Sequence, residues 1–164
     1  MSDTATLSIT LADYRHPRDA ADVVALLDAY ARDPMGGGEP LRDGVKARLT
    51  DDLAANPQAF SLLARLEDKA VGLANCFMGY STFAAAPLVN LHDLAVLPEA
   101  RGRGIGKALL QAVEAEALKR GACKITLEVL SGNPARQLYA REGYGDYQLD
   151  PATGHALFWQ KRLT

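Results

Sequence analysis

Between Leu91 and Arg120 the chain reads LHDLAVLPEARGRGIGKALLQAVEAEALKR: an apolar run, a turn of glycines and cations, then a long amphipathic stretch. This order admits few structures. The apolar run ends at Pro98, which cannot continue a central strand. From Gly104 to Arg120, Ile105, Leu109, Ala112, Val113 and Leu118 recur at helical spacing, and Gly121 supplies a stop. A strand must therefore turn abruptly into a helix across Arg101-Gly102-Arg103-Gly104-Ile105-Gly106-Lys107. Helix geometry leaves the first N–H groups without intrahelical acceptors, and the dipole is positive there. Glycines let a ligand approach the backbone, so the bend is an expected anion site.

The surrounding pattern predicts a mixed sheet. Thr6–Leu11 reads as a first strand, and Ala20–Arg32 as a helix with Asp19 as its cap. Asp33–Pro40 is a loop by composition, and Val45–Ala55 a second helix ending near Asn56-Pro57. Ala59–Leu66 and Ala70–Tyr80 flank Glu67-Asp68-Lys69 as a hairpin. Ser81–Pro87 is a further loop, and Leu88–Leu97 and Cys123–Leu130 read as strands. The unit from Leu88 to Leu130 is expected to be a right-handed parallel crossover. Pro134–Glu142 reads as a helix stopped by Gly143, and Tyr144–Leu149 and Ala156–Arg162 as two last strands. The expected fold is α/β: one domain over residues 1–164, with a mixed, mostly antiparallel sheet and helices on both faces.

Composition narrows the partners. A net charge of -2 across 164 residues argues against a general nucleic-acid footprint. No apolar run approaches the roughly 18 residues of a membrane helix. MSDTATLSIT lacks the basic and apolar regions of a secretory signal, so a cytoplasmic location is expected. Cys76 and Cys123 show no metal or disulfide spacing and read as reduced core thiols.

Two familiar phosphate motifs fail on this turn. A mononucleotide loop needs glycine where Arg101 stands and a hydroxyl where Ala108 stands. The dinucleotide pattern needs glycine at Lys107 or Leu109. What remains is R-x-x-G-x-G at Arg101, Gly104 and Gly106, between a strand and a helix. This resembles motif A of the GNAT superfamily of N-acetyltransferases. Asn133-Pro134-Ala135-Arg136-Gln137-Leu138-Tyr139-Ala140-Arg141-Glu142-Gly143-Tyr144 is similar to motif B of the same superfamily. Its alanine falls one residue off the usual spacing, and Tyr144 replaces phenylalanine. The two motifs cover about residues 88–149, the expected coenzyme A-binding core.

The resemblance implies acetyl-CoA as donor cosubstrate, with no metal. It implies that the diphosphate is held by Arg101, Gly102, Arg103, Gly104, Ile105, Gly106 and Lys107. It implies that Leu94, Ala95 and Val96 pair with the pantetheine arm as a strand would, and that a bulge there splays the two central parallel strands. The matching Asn133 contacts the pantetheine side in the family; read from the chain alone, it caps the following helix. Tyr80–Phe83, Leu91–Leu94 and Val129–Asn133 resemble the diamine and polyamine branch, where a glutamate usually stands in place of His92.

Acetyl transfer needs a deprotonated amine, a polarised carbonyl and a protonated leaving thiolate. Tyr139 is the candidate acid for the thiolate, with core packing as its alternative role. His92 has chemistry suited to removing a proton from an amine near neutral pH. Asp93 is a candidate to orient it or to bind a cationic substrate. Period-two alternation sends His92 and Asp93 to opposite faces, so only one is expected in the cleft. Glu128 is a third candidate base. Asp28, Asp33 and Glu39 read as solvated loop charges. No cysteine sits at a turn or helix start, which favours direct attack over an acetyl-enzyme.

The resulting expectation is an enzyme moving an acetyl group to a primary amine of a small molecule. Protein or peptide acetylation, a non-catalytic coenzyme A sensor and a structural phosphate module are the rivals. The last two strands are available to pair across a homodimer.

Overall fold

The computed structural model describes residues 6–163. These form two compact units, the first ending at Leu127 and the second beginning at Glu128. The first unit carries strands β1 (Leu7–Leu11), β2 (Ala59–Leu66), β3 (Lys69–Ser81), β4 (Ala86–Val96) and β5 (Ile125–Leu127). Its helices are α1 (Pro17–Arg32), α2 (Asp43–Ala55) and α3 (Ile105–Lys119). Helix α4 (Arg136–Arg141) lies in the second. One sheet has the order β1-β2-β3-β4-β5. Its first three pairings are antiparallel, and β4 with β5 is parallel, as the strand–helix–strand reading requires.

The pleat divides the core between two helical layers. Leu63 and Leu73 are fully buried and cluster with Val23 and Leu26 of α1 and Leu53 of α2. On the other face a Cβ at Gly72 would meet Leu109 at 3.0 Å and Ile105 at 3.2 Å. Glycine there lets α3 lie close to the sheet. Ile105, Leu109, Leu110 and Val113 are all buried, so the stripe read from the sequence is the face that anchors the helix. Truncating Leu109, which has no exposed surface, would cost about 2–5 kcal/mol through lost burial and the cavity left behind.

Several boundaries differ from the pattern. Helix α1 begins at Pro17, with His16 as N-cap. Asp19 does not cap it; its carboxylate accepts from the Asp13 N–H at 2.9 Å and from Arg65 at 2.9 Å. The strand expected over Cys123–Leu130 is laddered only at Ile125–Leu127. Cys76 is buried but Cys123 is exposed, so only the first is a core thiol. Tyr144–Leu149 and Ala156–Arg162 are not strands: among the described residues, no ladder includes them. The β-propensity of Leu157, Phe158 and Trp159 is expressed only through cross-strand partners, and all three are exposed here. The strands offered for a homodimer are thus not formed.

Candidate active site

The turn after β4 has the geometry its glycines foretold. Gly102 and Gly104 have φ of 75° and 77°, a region that costs an L-residue roughly 1–2 kcal/mol. At both, a Cβ would meet nothing within 4 Å. Backbone conformation therefore selects glycine, and open space lies beside the main chain. Gly104 is the N-cap of α3 and makes no side-chain capping bond. Its carbonyl accepts from the Ala108 N–H at 3.0 Å. Ile105 is buried as an anchor, while Arg103 and Lys107 are exposed. Thus the helix is fixed by an apolar foot while its first turn faces outward, with cations alongside.

Arg101 does more than add charge. Its Nε donates to the Val96 carbonyl at 3.1 Å, and Nη2 to Asp33 Oδ2 at 3.1 Å. It ties the turn both to the end of β4 and to the α1–α2 loop. Asp33 also accepts from the Met35 N–H at 2.9 Å. That bond, followed by the one from Arg101, holds its carboxyl below the ordinary carboxylate range. Asp28 is likewise no free loop charge. It accepts from Arg32 Nε at 2.9 Å and the Leu41 N–H at 2.8 Å, and pairs with Lys46 at 3.2 Å. These partners, Arg32 foremost, hold its carboxyl low. Two aspartates therefore shape the loop that borders the turn.

Strand β4 carries a bulge, but at His92 rather than within Leu94–Val96, where the resemblance implied it. Asn75 pairs with Asp93 and Cys76 with Leu91, so His92 is the extra residue. A bulge bends the strand and interrupts alternation. This corrects the expectation that His92 and Asp93 face opposite ways. His92 stands edge-on to Phe77 with ring centroids 5.4 Å apart, and Asp93 Oδ2 accepts from Asn75 Nδ2 at 3.0 Å. Phe77 and Asn75 are two residues apart on β3 and share the face packed against α1. His92 and Asp93 thus both belong to that face. His92 is exposed, and its Nδ1 lies 3.4 Å from Asn90 Oδ1.

The β4–β5 ladder is short: Val89, Asn90 and Leu91 pair with Ile125, Thr126 and Leu127. Among the described residues it ends there, at the bulge, while Asp93, Leu94, Ala95 and Val96 continue to pair with β3. One edge of Leu94–Val96 is therefore outside the ladder, which is the disposition needed to receive an extended, amide-bearing ligand.

The sequence missed Tyr30 on α1. Its phenol is pushed up by burial first, then by the charges of Asp93 and Asp33, so its proton is firmly held between the loop and β4. Nothing local in the sequence signals this neighbourhood. The Cys76 thiol is pushed up to about 12, chiefly by burial, and is not a nucleophile at neutral pH.

The second unit holds the rest of the predicted set. Asn133 Oδ1 accepts from the Ala135 N–H at 2.9 Å, and its carbonyl from the Arg136 N–H at 3.1 Å. These bonds make a turn just ahead of α4, which starts at Arg136 with Ala135 as N-cap and no side-chain capping bond, so Asn133 is not the cap the sequence implied. Tyr139 is half-buried and meets Tyr144 edge-on at 6.0 Å. Glu128 is exposed and lies beyond β5.

A glycine turn at a helix N-terminus, a bulged strand with one edge outside the ladder and a loop tied to the turn through Arg101 make one continuous strand–turn–helix unit. A sequence model of the Acetyltransferase (GNAT) family matches residues 23–144, and the chain belongs to that family. An uncharacterized N-acetyltransferase of Bacillus subtilis strain 168, YhfO, is 30% identical over 132 residues, spanning 77% of this chain and 83% of its own. An aminoalkylphosphonate N-acetyltransferase of Salmonella typhimurium is 33% identical over 107 residues, 65% of this chain and 66% of that one. Among solved structures, aminoglycoside N-acetyltransferase AAC(6')-Iy in complex with CoA shares the fold with a TM-score of 0.75. Its identity is 19%, and 99% of each chain is covered.

Proposed function

We propose that this acetyltransferase uses acetyl-CoA to acetylate a primary amine of a small molecule by direct attack. The observation that carries the reading is the adjacency of two features in one strand–turn–helix. The outer edge of Leu94–Val96, outside the β4–β5 ladder and with its Val96 carbonyl held by Arg101, runs into a turn whose two positive-φ glycines open onto empty space. Backbone N–H groups of residues 102–107 would hold the diphosphate, with Arg103 and Lys107 supplying charge. Leu94, Ala95 and Val96 would pair with the pantetheine amides, leaving an N–H of this segment for the thioester oxygen.

The chemistry balances without an acyl-enzyme. The neutral amine nitrogen bonds to the thioester carbon, and the carbon–sulfur bond breaks. His92 takes the surplus proton of the amine, the departing thiolate takes up a proton, and Tyr139 is the candidate donor read from the sequence. The buried Cys76, its thiol pushed up to about 12, is not an acyl carrier. Asp93, on the same face as His92, would attract a cationic acceptor, which places diamines and polyamines first among candidates. Amino acids, aminoglycosides and aminoalkylphosphonates come next.

The test is an acceptor screen over these classes, read as free coenzyme A thiol. Amine-dependent thiol release supports the proposal. Tight acetyl-CoA binding with no release across the panel would identify a sensor instead.

A further inference from the structure

A polar row crosses the otherwise apolar α1 face of the sheet. Tyr14 Oη lies 2.7 Å from Ser61 Oγ. Ser61 Oγ lies 2.6 Å from Asn75 Oδ1, and Asn75 Nδ2 lies 3.0 Å from Asp93 Oδ2. Ser61 and Asn75 are 1% and 4% exposed. Three neighbouring strands thus contribute one residue each, in register, and Tyr14 closes the far end from the segment between β1 and α1. Burying two polar side chains in a core cluster of leucines and valines is costly unless every group is paired. Here each one is.

The direction of the row follows from its last member. An ionised carboxylate only accepts. Asn75 must therefore present its NH2 to Asp93, which leaves its carbonyl facing Ser61. The Ser61 hydroxyl must donate to that carbonyl, so the Tyr14 hydroxyl donates to Ser61. Each donor polarises the next toward Asp93. An amide carries no transferable proton along this path, so the row orients and does not conduct.

We propose that Tyr14, Ser61 and Asn75 form a one-way donor chain that fixes the Asp93 carboxylate beside the β4 bulge, making Asn75 a positioning residue for the acceptor amine. The inference rests on the reading of Asp93 given above. The bulge explains why such a chain is needed. His92, the extra residue, has no register partner on β3, so the alternation that would set Asp93's facing is interrupted just before it. Asn75 sets that facing from inside the sheet.

Tyr14→Phe removes the terminal donor and keeps the ring. Ser61→Ala removes the middle link. Two readouts decide the matter. In kinetics, each variant should lower kcat/KM for the amine severalfold while leaving the KM for acetyl-CoA unchanged. The same substitutions should produce no further loss in an Asp93→Ala background. Equal losses in both backgrounds would overturn the proposal. In two-dimensional NMR, the side-chain NH2 pair of Asn75 should shift in Asp93→Asn and also in Tyr14→Phe. An unmoved pair in Tyr14→Phe would overturn the chain. The NMR readout needs no substrate. If the wild type acetylates no amine, the functional reading falls while the Asn75 resonance still decides whether the chain exists.

Discussion

Three glycines of similar conformation provide an internal control for the anion turn. Gly102 and Gly104 have φ of 75° and 77°, and Gly121, just past the C-terminus of α3, has 71°. At all three, a Cβ would meet nothing within 4 Å. Alanine at each should therefore cost the same local strain, roughly 1–2 kcal/mol. For a chain of this size that lowers Tm by about 2–8 °C, taking about 2–4 °C per kcal/mol. Stability should not distinguish the three variants. Affinity should. At Gly102 and Gly104 the new methyl occupies the space beside N–H groups assigned to the diphosphate, whereas at Gly121 it projects at the opposite end of the helix. Calorimetric titration with coenzyme A should show Gly104→Ala weakened by about tenfold or more, equivalent to ~1.4 kcal/mol, with Gly102→Ala following it. Gly121→Ala should bind like the wild type. Equal affinity of Gly104→Ala and Gly121→Ala would refute the assignment, because the shared strain would then account for everything the glycine does.

Other outcomes follow from the same geometry. Tyr139→Phe should reduce kcat by about 100-fold, the lower range for loss of a general acid, with coenzyme A affinity unchanged by calorimetry; unchanged turnover would return Tyr139 to packing alone. Under native conditions iodoacetamide should label exposed Cys123 and spare Cys76, whose thiol is pushed up to about 12; mass spectrometry of the digested protein reads this directly. Asp28 has a folded pKa below its ordinary 3.8. Its ionised form therefore stabilises the fold above that value, and the contribution is lost as pH falls through the lower folded pKa. Urea melts at neutral and at strongly acid pH should show a smaller acid loss for Asp28→Asn than for the wild type.

Legible in the sequence were the features written in contiguous residues. The strand–turn–helix at Leu91–Arg120 and the hairpin around Glu67-Asp68 each carry their own periodicity and punctuation. That β4 is bulged was legible only through family resemblance, which set the bulge at Leu94–Val96 rather than at His92. Period-two reasoning assumes a perfect ladder, and one inserted residue, His92, overturned the facing of its neighbour. Charges whose partners lie far along the chain were also misread: Asp33 meets Arg101 from 68 residues away. Asp28 looked solvated because the fold that brings Lys46 and Leu41 to it is not local. Ser61 and Asn75 did carry a signal, since polar residues interrupt two apolar strands at positions that the hairpin places opposite each other. The C-terminal strands failed for the converse reason: propensity was present, but a strand exists only with a partner.

The central claim is that coenzyme A lies along the outer edge of β4 and ends on the glycine turn. Titrating isotope-labelled protein with coenzyme A and following backbone amides tests it without any acceptor. The largest shifts should fall on Gly102, Gly104, Gly106 and the Leu94–Val96 segment, and should saturate together. Saturating shifts that leave those amides unmoved would contradict the account.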